Sequence, residues 1–225
     1  MISLKKIYFK KYLIGITILI SFFYSAQNKI PQSQEIDQVL FVEIKKMRIE
    51  SKFDEVISLS EKAIENSQKI QYKRGEAWGN LRLGNAYCSL GKYKESLASL
   101  NKAQKISEML NDNALNAIIS IETGRNYFES KVSNQQAIQQ FLKAESYALK
   151  IKDKYDRETY LLYAYQSLMA AYSDTDKKDL AISYAWKSLQ IEEDAYTLSY
   201  VTHHHLNTSK NKDSIIYYLL SRKIN

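Results

Sequence analysis

Helix breakers are nearly absent from this chain of 225 residues, which holds one proline, Pro31, and 6 glycines. Long helices therefore meet little that would end or kink them. A single cysteine, Cys88, excludes an internal disulfide and reads as a small buried hydrophobe. The sequence has no glycine-rich phosphate loop, no Gly-x-Ser-x-Gly and no cysteine–histidine context. It therefore reads as non-enzymatic, with no cofactor. Excess charge of one sign is also lacking once the N-terminus is set apart. Four of the 32 basic residues lie in 1–26, which has no acid; the remainder holds 28 basic against 25 acidic residues, a net of +3. So balanced a surface gives no ground for nucleic-acid binding or a polybasic membrane patch.

The N-terminus reads as an address. Lys5, Lys6, Lys10 and Lys11 precede an apolar run from Leu13 to Tyr24, and Ser25-Ala26 follows. A basic region, an apolar run and small residues are the layout of a secretory signal peptide. The run is shorter than the ~20 residues of a spanning helix. The expectation is that 1–26 exports the chain across the inner membrane, to the periplasm or beyond, and is cleaved. An uncleaved anchor over Tyr12 to Ala26 is the alternative, and would be the only membrane contact. No cysteine follows the run, so a lipid on cysteine has no attachment point. Residues 27–33 form a linker holding Pro31, and 34–225 form one repeat domain.

That domain carries a recurring pattern. Its clearest copy, Ala77 to Glu108, reads Leu83-Gly84, Tyr87, Gly91, Tyr93, Ser96, Leu100 and Ala103. The first-helix positions recur as Thr123-Gly124-Tyr127 and Leu168-Met169-Tyr172. The second-helix positions recur as Ala137-Phe141-Ala144 and Ala181-Ala185-Ser188. One small residue repeats as Ala63, Ala103, Ala144, Ser188 and Ser221, in steps of 40, 41, 44 and 33. A weaker first copy holds Ile44, Met47, Val56, Ser60 and Ala63; the weakest, last copy holds Val201, Thr202, His205, Ser214 and Tyr218. Small residues at equivalent places mark where helices approach, and a unit of this kind cannot bury its apolar face alone.

This pattern resembles the tetratricopeptide repeat (TPR) family over roughly 35–225. The family's opening Trp is replaced by Asn80, with Trp78 two residues earlier; its closing Pro is missing; and the period is near 40 rather than ~34. The resemblance implies an all-α, right-handed α-solenoid of about five antiparallel hairpins. The reading places helices near 34–50, 53–70, 73–90, 93–110, 113–130, 134–152, 155–173, 177–192, 195–208 and 211–223. Gly91, Asn111-Asp112-Asn113, Ser133-Asn134 and Ser173 to Asp176 supply stop and N-cap chemistry. The 18 tyrosines suit the half-buried seams between hairpins, with an aromatic ligand groove as the competing reading.

In the resembling family, first helices line a concave groove and the residue after the Gly faces it. Here those residues are Lys45, Asn85, Arg125 and Ala170, and three of the four can donate hydrogen bonds to a peptide. Trp78, Arg82 and Tyr163 fall on or near the same face. The candidate peptide-binding set is thus Lys45, Trp78, Arg82, Asn85, Arg125 and Tyr163. Some members clamp a terminal carboxylate, but Phe41 and Leu81 stand where that clamp needs polar groups, so it is not carried over. His203-His204-His205 are neighbours ~100° apart on a helix and cannot jointly hold one metal. No metal site is expected.

The segment with Ile215, Ile216, Tyr218 and Leu219 is apolar nearly all round, an expected interface for a second copy or a partner. The reading is an exported scaffold or adaptor for a protein or peptide. The alternative is the sensor part of a membrane signalling protein, of histidine-kinase or helix-turn-helix type, with its output domain outside this chain.

Overall fold

A computed structural model describes residues 32–208 of the protein. Helix α1 (Gln32–Gln38) runs through a π-helical stretch (Val39–Glu43) into α2 (Ile44–Ile49). Then follow α3 (Phe53–Lys69), α4 (Lys73–Ser89), α5 (Tyr93–Leu110) and α6 (Asn113–Glu129). The order closes with α7 (Asn134–Ala148), α8 (Lys154–Ser173), α9 (Lys178–Ile191) and α10 (Ala195–Thr208). Among the described residues there is no strand. Each helix packs on the next in sequence, and α6 also touches α4 and α8. The outer helices α3, α5, α7 and α9 make no comparable contact with one another, so the stack is tighter along its inner row. This is an all-helical solenoid of antiparallel hairpins.

The positions read as small are where helices meet. Ala63, Ala103, Ala144 and Ser188 are buried, and a Cβ at Gly84 would fall 2.8 Å from Leu100. At Gly124 an added Cβ would overlap the Phe141 ring. Ser96 and Ser188 are buried with hydroxyls that find no partner, so packing uses their size and not their polarity. The tyrosines divide. Tyr165 and Tyr172 are buried, and Tyr172 stacks on Tyr184 at 5.8 Å. Lys187 lies 4.4 Å over the Tyr184 ring and pairs with Glu145 at 3.1 Å, while the Tyr184 hydroxyl donates to the same carboxylate. That cluster straps α7, α8 and α9 together. Burial, with Glu145 alongside, pushes the Tyr184 phenol pKa up.

Boundaries fall within two residues of expectation, with these differences. Gln32 and Ser33, inside the segment read as linker, are already helical. Helix α7 ends at Ala148 instead of 152, because Arg157 donates to the Ile151 and Lys152 carbonyls and Asp153 caps the next helix at Asp156. Asp112 and Ser133 cap α6 and α7 as read. The segment 211–223, with the interface residues Ile215, Ile216, Tyr218 and Leu219, lies outside the described residues, as does 1–31.

One regularity is invisible in composition. Left-handed backbone recurs at Ser51, Gln71, Gly91, Asn111 and Lys131, with φ of 56°, 57°, 71°, 52° and 55°. The steps are 20 residues each, half the repeat. At the first four, two bonds close each helix: Lys52 N–H to Met47 C=O, Tyr72 to Ser67, Lys92 to Tyr87 and Asp112 to Ser107, each with a companion from the left-handed residue's N–H to the carbonyl three residues before it. That is the Schellman arrangement, which favours glycine at the left-handed residue. Only one of the five is glycine. Side chains there hold a conformation that costs ~1–2 kcal/mol for an L-residue. Gln71→Gly should therefore raise thermal stability, by up to ~1 kcal/mol after the entropy of the unfolded glycine is deducted. Calorimetric melting checks this, and a lower Tm would refute it.

Candidate functional site

The inner row of helices encloses a groove of about 680 Å³, within the ~300–1,000 Å³ range of ligand pockets. Helix α2 contributes Arg48 and α4 contributes Trp78 and Arg82. Helix α6 contributes Ile118, Ile121, Glu122, Arg125 and Phe128. Phe141 comes from α7, and α8 supplies Thr159, Tyr160, Tyr163, Gln166, Ser167 and Ala170. On α6 these positions follow i, i+3, i+4, i+7, the spacing of one helical face.

Four of the six candidate residues converge here: Trp78, Arg82, Arg125 and Tyr163. Ala170 lines it as well. Asn85 is buried at 3% exposure behind the groove; in its satisfied orientation the amide donates to Leu81 C=O and to Glu122 Oε2. It holds a groove carboxylate in place instead of facing the opening. Lys45 is exposed in a separate depression with Phe41, Val42, Lys46, Ile49 and Glu50. Three residues along a helix is a rotation of ~60° short of a full turn, so Arg48 reaches the groove while Lys45 falls outside its edge. Arg48, Glu122 and Gln166 were not singled out from sequence. The signal for Arg48 was its place one turn beyond Lys45.

The two ends of the groove differ electrostatically. Arg125 pairs with Glu122 at 2.6 Å and lies 3.9 Å from Glu129. Desolvation pulls the Arg125 pKa down, but the Glu122 and Glu129 carboxylates outweigh it and the net direction is up. Behind it the Cys88 thiol donates to Glu129 at 3.5 Å. At the other end, Arg82 Nε donates to the Leu40 carbonyl at 3.3 Å, and its Cζ lies 5.1 Å from the Trp78 ring and 6.0 Å from Phe41. Phe41 meets Trp78 edge-on at 4.9 Å. Desolvation, with Arg48 adding like-charge repulsion, lowers the Arg82 pKa to about 10. It remains a cation at neutral pH. Trp78 is 8% exposed and its Nε1–H finds no partner. Tyr163 is 46% exposed.

The floor is apolar and the rim carries polar groups. Ser167 and Thr159 donate to carbonyls of their own helix, which leaves their oxygens free to accept. Gln166 donates to Asp194 at 3.4 Å. No described cluster of three His, Cys, Asp or Glu side chains could hold a metal ion, and His203 is exposed.

No family model matches the chain, and no curated protein sequence matches it. Among solved structures it is similar to the apo form of RapI, a TPR-like helical repeat protein, at 18% identity and a TM-score of 0.61. The match covers 84% of this chain and 54% of RapI, so the chain spans about half of RapI's length. At that identity the likeness establishes the fold: a helical repeat of TPR-like architecture.

Cys88 generates a test of this geometry. Burial first, then the Glu129 and Glu122 carboxylates working against Arg125, pushes the thiol up to about 12. An unperturbed thiol ionises near ~8.5. At pH 8 the folded protein should react with a disulfide reagent far more slowly than the denatured chain. Equal rates would show that Cys88 is not buried beside Glu129 and Arg125.

Proposed function

We propose that the chain is a non-enzymatic scaffold that binds a protein or peptide segment in the groove between α2, α4, α6 and α8. One observation carries this reading. The groove joins an apolar floor to donors that the fold leaves unused: Trp78 Nε1–H, the Tyr163 hydroxyl and the outer N–H groups of Arg82. Extended peptide offers both apolar side chains and backbone carbonyls, and such a surface satisfies both. The TPR-like architecture shared with RapI supports a binding role over chemistry. A photo-crosslinking residue in place of Tyr163 should give one discrete adduct, traceable by mass spectrometry to one segment of one partner. The same residue at Tyr155, exposed and outside the groove, should not. Equal adducts at both positions would overturn the groove as the binding surface.

The export reading stands with it, supported by the layout of 1–26, which lies outside the described residues. Among the described residues no helix is long and apolar enough to cross a membrane. Intact-mass measurement of the protein recovered from its host should find a chain beginning near Gln27. A chain retaining 1–26 would favour the anchored form.

A further inference from the structure

We infer that the Arg48–Arg82 end of the groove is an anion subsite that takes an aspartate or glutamate side chain of the bound peptide, beside Trp78. The inference rests on the groove being the peptide site. Several partly buried cations of this protein are matched by a carboxylate: Arg74 with Asp112, Arg125 with Glu122, Lys143 with Glu108, Lys187 with Glu145. Among the described residues neither Arg48 nor Arg82 has a carboxylate within 4.0 Å, although both are half-buried and face one pocket. The lining of that pocket holds three arginines against one glutamate. Unpaired cations in a shared, partly desolvated space repel each other, and an incoming anion relieves both desolvation and repulsion. The depressed pKa of Arg82 registers the same strain.

The subsite is also built rather than incidental. Arg82 is held by its Nε bond to Leu40 C=O and by the Trp78 face. Its remaining N–H groups have no partner among the described residues. The π-helical stretch presents that carbonyl, since Leu40 lies within it. Trp78 adds an independent sign: more than nine-tenths buried, lining the groove, with an Nε1–H that nothing accepts. A carboxylate fits better than a phosphate. The walls are helix sides, whose backbone N–H groups are spent within the helices, whereas phosphate sites draw on free backbone N–H groups. A planar carboxylate matches guanidinium forks. Next along the groove lies the apolar floor of Ile118, Ile121 and Phe141, so the preferred peptide carries an apolar residue a short distance from the acid.

The test is a positional-scanning array of N-acetylated, C-amidated octapeptides, so that side chains supply the only carboxylates. It is probed with the full chain. Aspartate or glutamate should be selected at one position, with an apolar residue nearby. Arg48→Gln disturbs no hydrogen bond or ion pair among the described residues and should weaken the selected peptides roughly tenfold or more, as loss of a charge-assisted bond does. Arg48→Glu should shift selection to lysine. Arg82→Gln should act alike, its fold checked by circular dichroism, since it also loses the Leu40 contact. Peptides bound with no acidic preference, or with phosphoserine preferred over both acids, would overturn the carboxylate subsite and leave the peptide groove standing. Binding to no peptide at all would overturn both.

Discussion

Close approach of helices at a few small residues is the constraint on which the rest of this structure depends. Gly84 admits Leu100, Gly124 admits the Phe141 ring, and a Cβ at Gly79 would come within 2.6 Å of Ile64. The first two contacts fix the spacing within a hairpin, and the third fixes the spacing between successive hairpins. That spacing sets how far apart the inner helices α4, α6 and α8 stand, and therefore the width of the groove. Interiors packed to this density do not deform gradually. A bulkier residue at these places would separate the helices and disperse side chains that α2, α4, α6 and α8 bring together from widely separated parts of the chain.

The same scaffold treats charge in two ways. Between α7 and α9, Lys187 donates to Glu145 and two tyrosine rings face its charge. Arg125 is likewise held by carboxylates and lies over a buried thiol. In both cases a carboxylate of the fold already balances the charge, although the Arg125 Nε–H still lacks an acceptor. Arg48 and Arg82 have the opposite standing. They are positioned by packing and by one carbonyl, and their charge is not spent within the described protein. A binding surface gains most from groups of this kind, because the ordering has been done in folding and the interaction has not.

Much of this was legible in the sequence, for reasons that are local. Scarce breakers and recurring small residues gave the helices and the order of hairpins. The first-helix face gave Trp78, Arg82, Arg125 and Tyr163. Asn85 occupies the position that faces the groove in the resembling family, but its amide is consumed by Glu122, a residue 37 places away that no local pattern links to it. Lys45 and Arg48 share one short helix, and only the position of α4 decides which of them meets the groove. Gly91 and Asn111 carry a sequence signal for two of the left-handed turns; Ser51, Gln71 and Lys131 carry none, because there the chain adopts by tertiary demand what the side chains disfavour. The π-helical stretch carries no sequence signal; it joins α2 to α1, which touches both α3 and α4.

That stretch also bears on how such a chain can change over generations. A π-helical turn is an α-helical turn that has absorbed a surplus residue without breaking. Val39–Glu43 is therefore a place where the reading of the helix has been slipped by one position and repaired on the spot. Deleting the surplus would turn everything before it by ~100°, carrying Ile36 off the core and withdrawing the carbonyl on which Arg82 rests. Losing that one residue would thus cost the α1 packing and the arginine's anchor together.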